Sequence, residues 1–223
     1  MSLSFLLDDA NPANWNQWFH SGIFHGITTN PTLLRHADQK CTLENLKCLV
    51  EEAKDIGCKE FHIQAWGESA NDIANCGFEL GKLSTPEMQV NVKVPITRLG
   101  SFAAKKLIVS NISVTLTACY EIKQALIASS LGASYLAPYL GRINDQGREA
   151  LSELISMQKI LEGTNSKCKI LVASIRSANE INYLASEGIK IFAINTKIAE
   201  ELFSSDLTLK AAQKFEEDIK INS

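Results

Sequence analysis

An α/β fold, a single (β/α)8 barrel with an extra helix at its C-terminal end, is what this sequence predicts, and three observations predict it. Eight short apolar runs alternate with amphipathic helical stretches. Polar residues recur at the C-terminal ends of those runs, where barrel enzymes place their chemistry. No Pro/Gly-rich linker, charge block or low-complexity tract interrupts the chain, so residues 1–223 read as one domain. An open doubly wound sheet is the alternative, weakened because no G-x-G-x-x-G follows the first run.

The candidate strands, in order, are Ser4 to Asp8, Gly26 to Thr28, Glu60 to Ala65, Gln89 to Val94, Ile112 to Leu116, Ser134 to Pro138, Lys169 to Ala173 and Lys190 to Ile194. Each is short, rich in Val, Ile, Leu and Phe, and flanked by polar or turn residues. Between them, Thr42 to Gly57 sets Leu43, Leu46, Leu49, Val50 and Ala53 on one helical stripe, with Gly57 as a C-terminal stop. The stretches Ser69 to Leu83, Leu99 to Val109, Ala118 to Leu131, Gly147 to Leu161, Ala178 to Ser186 and Ile198 to Phe203 read the same way. In "GITTNPTLL" (Gly26 to Leu34), Asn30 precedes Pro31, which favours a strand end, a tight loop and a helix opening at Pro31. That turn either aims Thr28 and Asn30 at a ligand's hydroxyls or simply caps the helix. The last stretch, Leu207 to Ile221, is not needed to close a barrel. Its residues Leu209, Ala212, Phe215 and Ile219 form an apolar stripe that must be covered, by its own barrel or by another subunit.

The residue that breaks its surroundings is Lys93, in "VNVKVPIT" (Val90 to Thr97). Val90, Val92, Val94 and Ile96 alternate like one buried face, so Asn91, Lys93 and Pro95 take the other. Lys93 either reaches water along its own stem or sits dry as a neutral amine. A dry amine is a nucleophile near pH 7, and the protonated imine it forms with a ketone draws electrons from a neighbouring carbon–carbon bond. Such chemistry needs neither metal nor cofactor. Asp8, Thr28, Gln64, Thr115 and Lys93 all fall in or at the ends of predicted strands, with Asn30, Thr117, Tyr139, Ser174 and Arg176 just beyond. In a parallel barrel those positions converge on one rim.

Composition excludes several alternatives. A formal net charge of −3 offers no electrostatic reason to expect nucleic acid or an anionic membrane as partner, so any phosphate recognition must be local. No stretch approaches the ~20 apolar residues of a membrane helix, and the start carries no basic flank, so a cytoplasmic protein is expected. The six cysteines show no CxxC spacing and the four histidines do not complete a zinc set, so no metal site is expected. "APYLGR" (Ala137 to Arg142) and "VASIR" (Val172 to Arg176) each carry an arginine a few residues past a strand, and two such arginines can grip one phosphate.

The ordered blocks "LLDDAN", "GITTNPTLL", "VKVPIT", "TLTACY", "LGASYLAPYLGRI" and "VASIR" resemble those of the small transaldolases and fructose-6-phosphate aldolases, collinearly and over essentially the whole chain. The resemblance implies a TIM barrel with Lys93 as Schiff-base lysine, Asp8 as acid/base, and Thr117 helping to hold a catalytic water. It implies Asn30 as a partner for substrate hydroxyls, Arg142, Ser174 and Arg176 as holders of the sugar phosphate, and Thr115 as a weaker substrate contact. It also implies no cofactor, and a C-terminal helix that crosses onto a neighbouring subunit of a ring-like homo-oligomer. Transaldolases of this kind usually have glutamate at the position of Gln64, phenylalanine at that of Tyr139 and serine at that of Ala137. The residues present look like the aldolase branch, and a tyrosine hydroxyl can move protons through a bound water. The expected activity is reversible cleavage of fructose 6-phosphate to dihydroxyacetone and glyceraldehyde 3-phosphate. Transfer of the dihydroxyacetone unit to erythrose 4-phosphate, as in the pentose phosphate pathway, is the alternative, and a non-catalytic phosphosugar-binding barrel is the second. Two departures stand out: Asp9 beside Asp8, whose charge would raise the Asp8 pKa, and Trp66, a ring that would narrow the acceptor site.

Overall fold

The structure, a computed structural model, describes residues 2–222. Eight parallel strands in chain order close into a barrel: β1 (Ser4–Asp8), β2 (Phe24–Thr28), β3 (Glu60–Gln64), β4 (Gln89–Pro95), β5 (Val114–Cys119), β6 (Tyr135–Pro138), β7 (Lys169–Val172) and β8 (Ile191–Ile194). The last strand pairs with the first, Leu6 opposite Ala193. The helices are α1 (Pro12–Phe19), α2 (Pro31–His36), α3 (Leu43–Asp55), α4 (Ala70–Gly81), α5 (Arg98–Val109), α6 (Gln124–Leu131), α7 (Leu140–Asn144), α8 (Ala150–Gly163), α9 (Ala178–Ser186), α10 (Thr196–Phe203) and α11 (Asp206–Asn222). None of the described helices is long and apolar enough to cross a membrane.

All eight expected strands are present. One helix boundary is corrected: the stretch Ala118 to Leu131 is helical only from Gln124, because β5 runs on through Ala118 and Cys119. Ala118 takes a left-handed φ of 54° at an irregularity in the β5–β6 pairing, beyond which Cys119 still pairs with Pro138. Two short helices were not expected. Asn11 caps α1 through its side chain and Pro12 opens it, while α7 follows β6 immediately.

Two layers of packing divide the labour. Outward-facing residues such as Val90, Val92, Val94, Leu116 and Phe192, all fully buried, meet the helices in one large core. Trp15 of α1 closes edge-to-face on Phe61 at 5.6 Å and Trp18 on Phe24 at 6.0 Å. Inside the barrel a small apolar cluster of Leu6, Tyr135, Ala137, Leu171, Ile191 and Ala193 fills one side. The other side is polar: Glu60, His62, Gln64, Asn91, Lys93, Thr115 and Thr117 alternate with the outward apolar residues of β3, β4 and β5. Both faces of β4 are therefore buried. Gly26 allows β2 to approach β3, since a Cβ there would stand 2.3 Å from the Glu60 carbonyl oxygen.

Beyond α10 the chain leaves the barrel. On α11, Leu209, Phe215 and Ile219 are 59%, 67% and 61% exposed, so the barrel does not cover the apolar stripe. Packing of that stripe against its own barrel, one of the two expectations, is not seen.

Candidate active site

The parallel register brings the sequence-nominated residues to one rim. Asp8 pairs with Thr28, Gln64 with Lys93, Lys93 with Thr115, and Pro95 with Thr117. Of the two fates open to Lys93, burial is the one observed: the residue is 5% exposed and its Nζ donates to Thr28 Oγ1 at 3.0 Å and to the Thr29 carbonyl at 2.9 Å. Loss of hydration pulls its pKa from 10.5 to about 8, against the opposing attraction of Asp8. A substantial neutral fraction therefore exists at physiological pH.

Asp8 is pushed the other way. Burial raises its carboxyl, the Lys93 charge opposes that rise, and the Asp9 carboxylate adds to it. Asp9 itself is a structural anchor, accepting from Asn11 N at 2.6 Å and Asn14 Nδ2 at 2.8 Å and so pinning the start of α1. The duplicated acid thus ties the helix to the strand end and tunes its neighbour. Two groups with opposed shifts, a depressed amine and an elevated carboxyl, are the arrangement that acid–base chemistry near neutrality requires.

Thr117 and Tyr139 meet at 3.0 Å, hydroxyl to hydroxyl. The phenol is raised by burial, while the Thr117 hydrogen bond opposes that rise. Tyr139 also stacks edge-on with Tyr120 at 5.6 Å, which fixes its ring. The Gln64 amide nitrogen donates to the Lys93 and Ala65 carbonyls at 3.1 and 3.0 Å, so this side chain braces the strand that carries the lysine. Asn30 does cap α2, its Oδ1 accepting from Thr32 N and Leu33 N at 2.9 and 3.0 Å. Its amide NH2 is left to donate, so capping and ligand contact are compatible.

The two arginines share one open cleft of about 560 Å³ with Tyr120, Asp145 and Gln146. Gly141 brings their loops together: its N–H donates to the Ser174 carbonyl at 2.9 Å, and a Cβ there would lie 2.5 Å from that oxygen and 2.7 Å from Arg176 Nε. Ser174 adopts a left-handed φ of 60° at the end of β7. Arg142 lies 5.7 Å over the Tyr139 ring, and Arg176 forms a two-pronged ion pair with Asp145. Asp145 was not singled out from sequence, because nothing in its local pattern marks it; only the folding of α7 against β7 makes it a partner.

The remaining nominees are placed as follows. Ala137 and Thr115 are buried inside the barrel. Trp66 does not join the interior cluster but packs, half-buried, against the helix-side core. Sequence reasoning missed the polar floor below Lys93, made of Glu60, His62, Asn91 and Tyr135. Its signal was legible in "EFHIQ", where Glu60, His62 and Gln64 share one strand face. Among the described residues no group of three or more His, Cys, Asp or Glu is placed to hold a metal ion, and the six cysteines are unpaired.

The Lys93 shift has a consequence for stability. Between pH 8 and 10.5 the unfolded chain binds more protons than the folded one, so stability rises with pH across that window and the full cost is present below it. Lys93→Met should stabilise the protein at pH 7 by on the order of 1–3 kcal/mol. Urea unfolding should show that advantage shrinking as the pH is raised from about 8 toward 10.5.

Comparison with known proteins accords with this geometry. Residues 5–222 match the family model described as Transaldolase/Fructose-6-phosphate aldolase. The chain is 28% identical over 219 residues to a "Probable transaldolase" of Bartonella henselae, covering 98% of this chain and 97% of that one. A "Probable transaldolase" of Oceanobacillus iheyensis is 30% identical over 216 residues, at 97% and 98% coverage. Among solved structures, a mandelate oxidase mutant with a monooxide FMN adduct superposes with a TM-score of 0.59 at 11% identity, which is a likeness of fold alone. That alignment covers 87% of this chain and 64% of the oxidase chain. A closed barrel with a dry lysine at its rim, matched to that family over nearly its whole length, belongs to the transaldolase/fructose-6-phosphate aldolase family and is a class I aldolase or transaldolase, not a silent binding barrel.

Proposed function

We propose that this enzyme cleaves fructose 6-phosphate reversibly through an iminium on Lys93. The observation that carries the proposal is the buried Lys93 amine, held by Thr28 and Thr29 and titrating near 8, electrostatically coupled to Asp8. The neutral amine adds to the C2 carbonyl, and loss of water gives the protonated imine. Asp8, as carboxylate, takes the proton of the C4 hydroxyl; the C3–C4 electron pair flows into the iminium, and glyceraldehyde 3-phosphate departs. Protonation of the remaining enamine at C3, by a water held between Thr117 and Tyr139, and hydrolysis then release dihydroxyacetone and restore Lys93. The iminium is the electron sink, so the step calls for no metal or organic cofactor.

Asn30 and Thr28 serve as partners for substrate hydroxyls, and Thr115 and Ala137 line the wall. Arg142, Ser174 and Arg176 hold the phosphate, for which Arg176 would exchange its exposed Asp145 partner. Gln64, Tyr139 and Ala137 favour the aldolase branch, since no carboxylate occupies the Gln64 position. The names of the relatives favour a second reading, in which the enamine attacks erythrose 4-phosphate. Sugar phosphates are the expected partners, in the cytoplasm, with neither nucleic acid nor membrane involved. The uncovered stripe of α11 supports a homo-oligomer in which this helix lies on a neighbouring copy of a single-domain barrel.

Borohydride reduction with fructose 6-phosphate, followed by peptide mapping, should place the adduct on Lys93 alone; an adduct on any other lysine, or none in active enzyme, would sink the mechanism. Product analysis with and without erythrose 4-phosphate separates aldolase from transferase. Removing the Arg142 or Arg176 guanidinium should weaken phosphorylated substrates by about 1.5–3 kcal/mol and leave free dihydroxyacetone nearly unaffected. Equal losses on both substrates would assign the arginines to the fold. Truncation from Leu207 onward should yield smaller species by light scattering while Lys93 still traps substrate, and an unchanged assembly size would return α11 to its own subunit.

A further inference from the structure

Below Lys93 the barrel interior contains an acid, an imidazole and a hydroxyl in one chain. His62 is fully buried on β3; its register partner Asn91 lies two residues before Lys93 on β4. Its Nδ1 stands 2.8 Å from Thr115 Oγ1 and its Nε2 3.3 Å from Glu60 Oε2. Thr115, also fully buried, is the register partner of Lys93 on the next strand. The chain therefore ends on the strand beside the one that carries Lys93, whose Nζ itself turns to Thr28 and Thr29. Acid–histidine–hydroxyl sets elsewhere expose the hydroxyl as a nucleophile, and here it is closed in the wall.

The ionisation of Glu60 decides where the protons sit. Burial alone would raise its carboxyl, but the His62 ring and the Tyr135 hydroxyl, 2.7 and 2.9 Å from its two oxygens, together with His25, hold it down at about 2. Burial lowers the His62 pKa, against the opposing pull of the Glu60 carboxylate. An unprotonated Nε2 would set its lone pair against the carboxylate, so the ring proton sits on Nε2 and Nδ1 is the acceptor. The Asn91 carboxamide, whose oxygen and nitrogen are interchangeable in shape, lies 3.2 Å from the same nitrogen and links it to Ser113. Thr115 then gives its one hydroxyl proton to Nδ1, and its oxygen has only acceptor capacity left.

We infer that His62, anchored on Glu60, is a positioning residue that fixes the Thr115 hydroxyl as a hydrogen-bond acceptor in the wall beside Lys93. No proton is transferred. The acceptor is a preorganised dipole that favours the cationic iminium over the neutral amine. Leu6, Leu171 and Ile191 show that this barrel interior accepts aliphatic side chains, so a connected polar chain below the lysine departs from that packing. Retaining this chain under the lysine is consistent with use. The inference rests on the Schiff-base role proposed for Lys93.

The test is the rate of iminium formation with dihydroxyacetone, quenched with borohydride at timed intervals and read by intact mass. His62→Leu and Thr115→Val should each slow trapping about tenfold with binding of inorganic phosphate unchanged. The double variant should be no slower than either single one. His62→Gln, able to accept from Thr115 and donate to Glu60, should recover most of the rate. The 15N shifts of His62 in the wild type should show the Nε2–H tautomer. Trapping at the wild-type rate in Thr115→Val, additive losses in the double variant, or an Nδ1–H tautomer would each overturn the inference. If His62→Leu does not fold by thermal melt, Thr115→Val, His62→Gln and the wild-type spectrum still decide it. A wild type that fails to trap on Lys93 removes the Schiff-base proposal and this one with it, whereas normal trapping with indifferent variants removes this one alone.

Discussion

An ammonium group inside a closed parallel barrel has to be neutralised, paired or hydrogen-bonded, and the local structure at the rim answers that demand for Lys93. Its nitrogen cannot reach bulk water from a position 5% exposed, so the chain around it turns polar atoms inward. The turn after β2 supplies two of them, the Thr28 hydroxyl and the Thr29 carbonyl. That turn is held by Asn30 and Pro31, which cap and open α2 and so set the direction of the Thr29 carbonyl. A capping motif and a reactive amine are thus parts of one arrangement.

The rest of the interior follows from the same constraint. Polar residues on β3, β4 and β5 cost stability relative to the aliphatic layers that usually fill such barrels. The large outer core offsets them: the outward faces of every strand and the inner faces of the helices are buried together, at roughly 25 cal/mol per Å² of apolar surface removed from water. Chemistry is therefore confined to a few inward positions, while nearly all the packing lies between sheet and helices. The Arg176–Asp145 pair shows the opposite regime. Its side chains are 54% and 46% exposed, so the pair is held weakly and an incoming anion can compete for the guanidinium.

The fold was readable because its signals are periodic and local. Period-two alternation in "VNVKV" and the helical stripe of α3 each require only a short window, and the eight repeats of that pattern named the barrel. Strand ends were less legible: whether Ala118 continued β5 or began a helix depended on a left-handed backbone angle that no composition marks. The rim residues were legible in part. Lys93, Asp8 and Thr28 stand out as polar residues in apolar runs, whereas Asp145 looks like any loop acid until α7 folds against β7.

By itself the sequence determined the alternation of strand and helix, the isolation of Lys93 among valines, and the block order that marks the family. Two possibilities for the lysine remained, a wet stem or a dry amine, and only the tertiary structure chose between them. The reason is separation along the chain. The contacts that hold Lys93 lie 64 and 65 residues away, and Thr115 is 53 residues from the imidazole it meets. Closing the sheet creates those neighbours, and with them the desolvation that moves the Lys93 and Asp8 titrations toward each other. A proton affinity depends on the surroundings in space, which a chain acquires only when it folds.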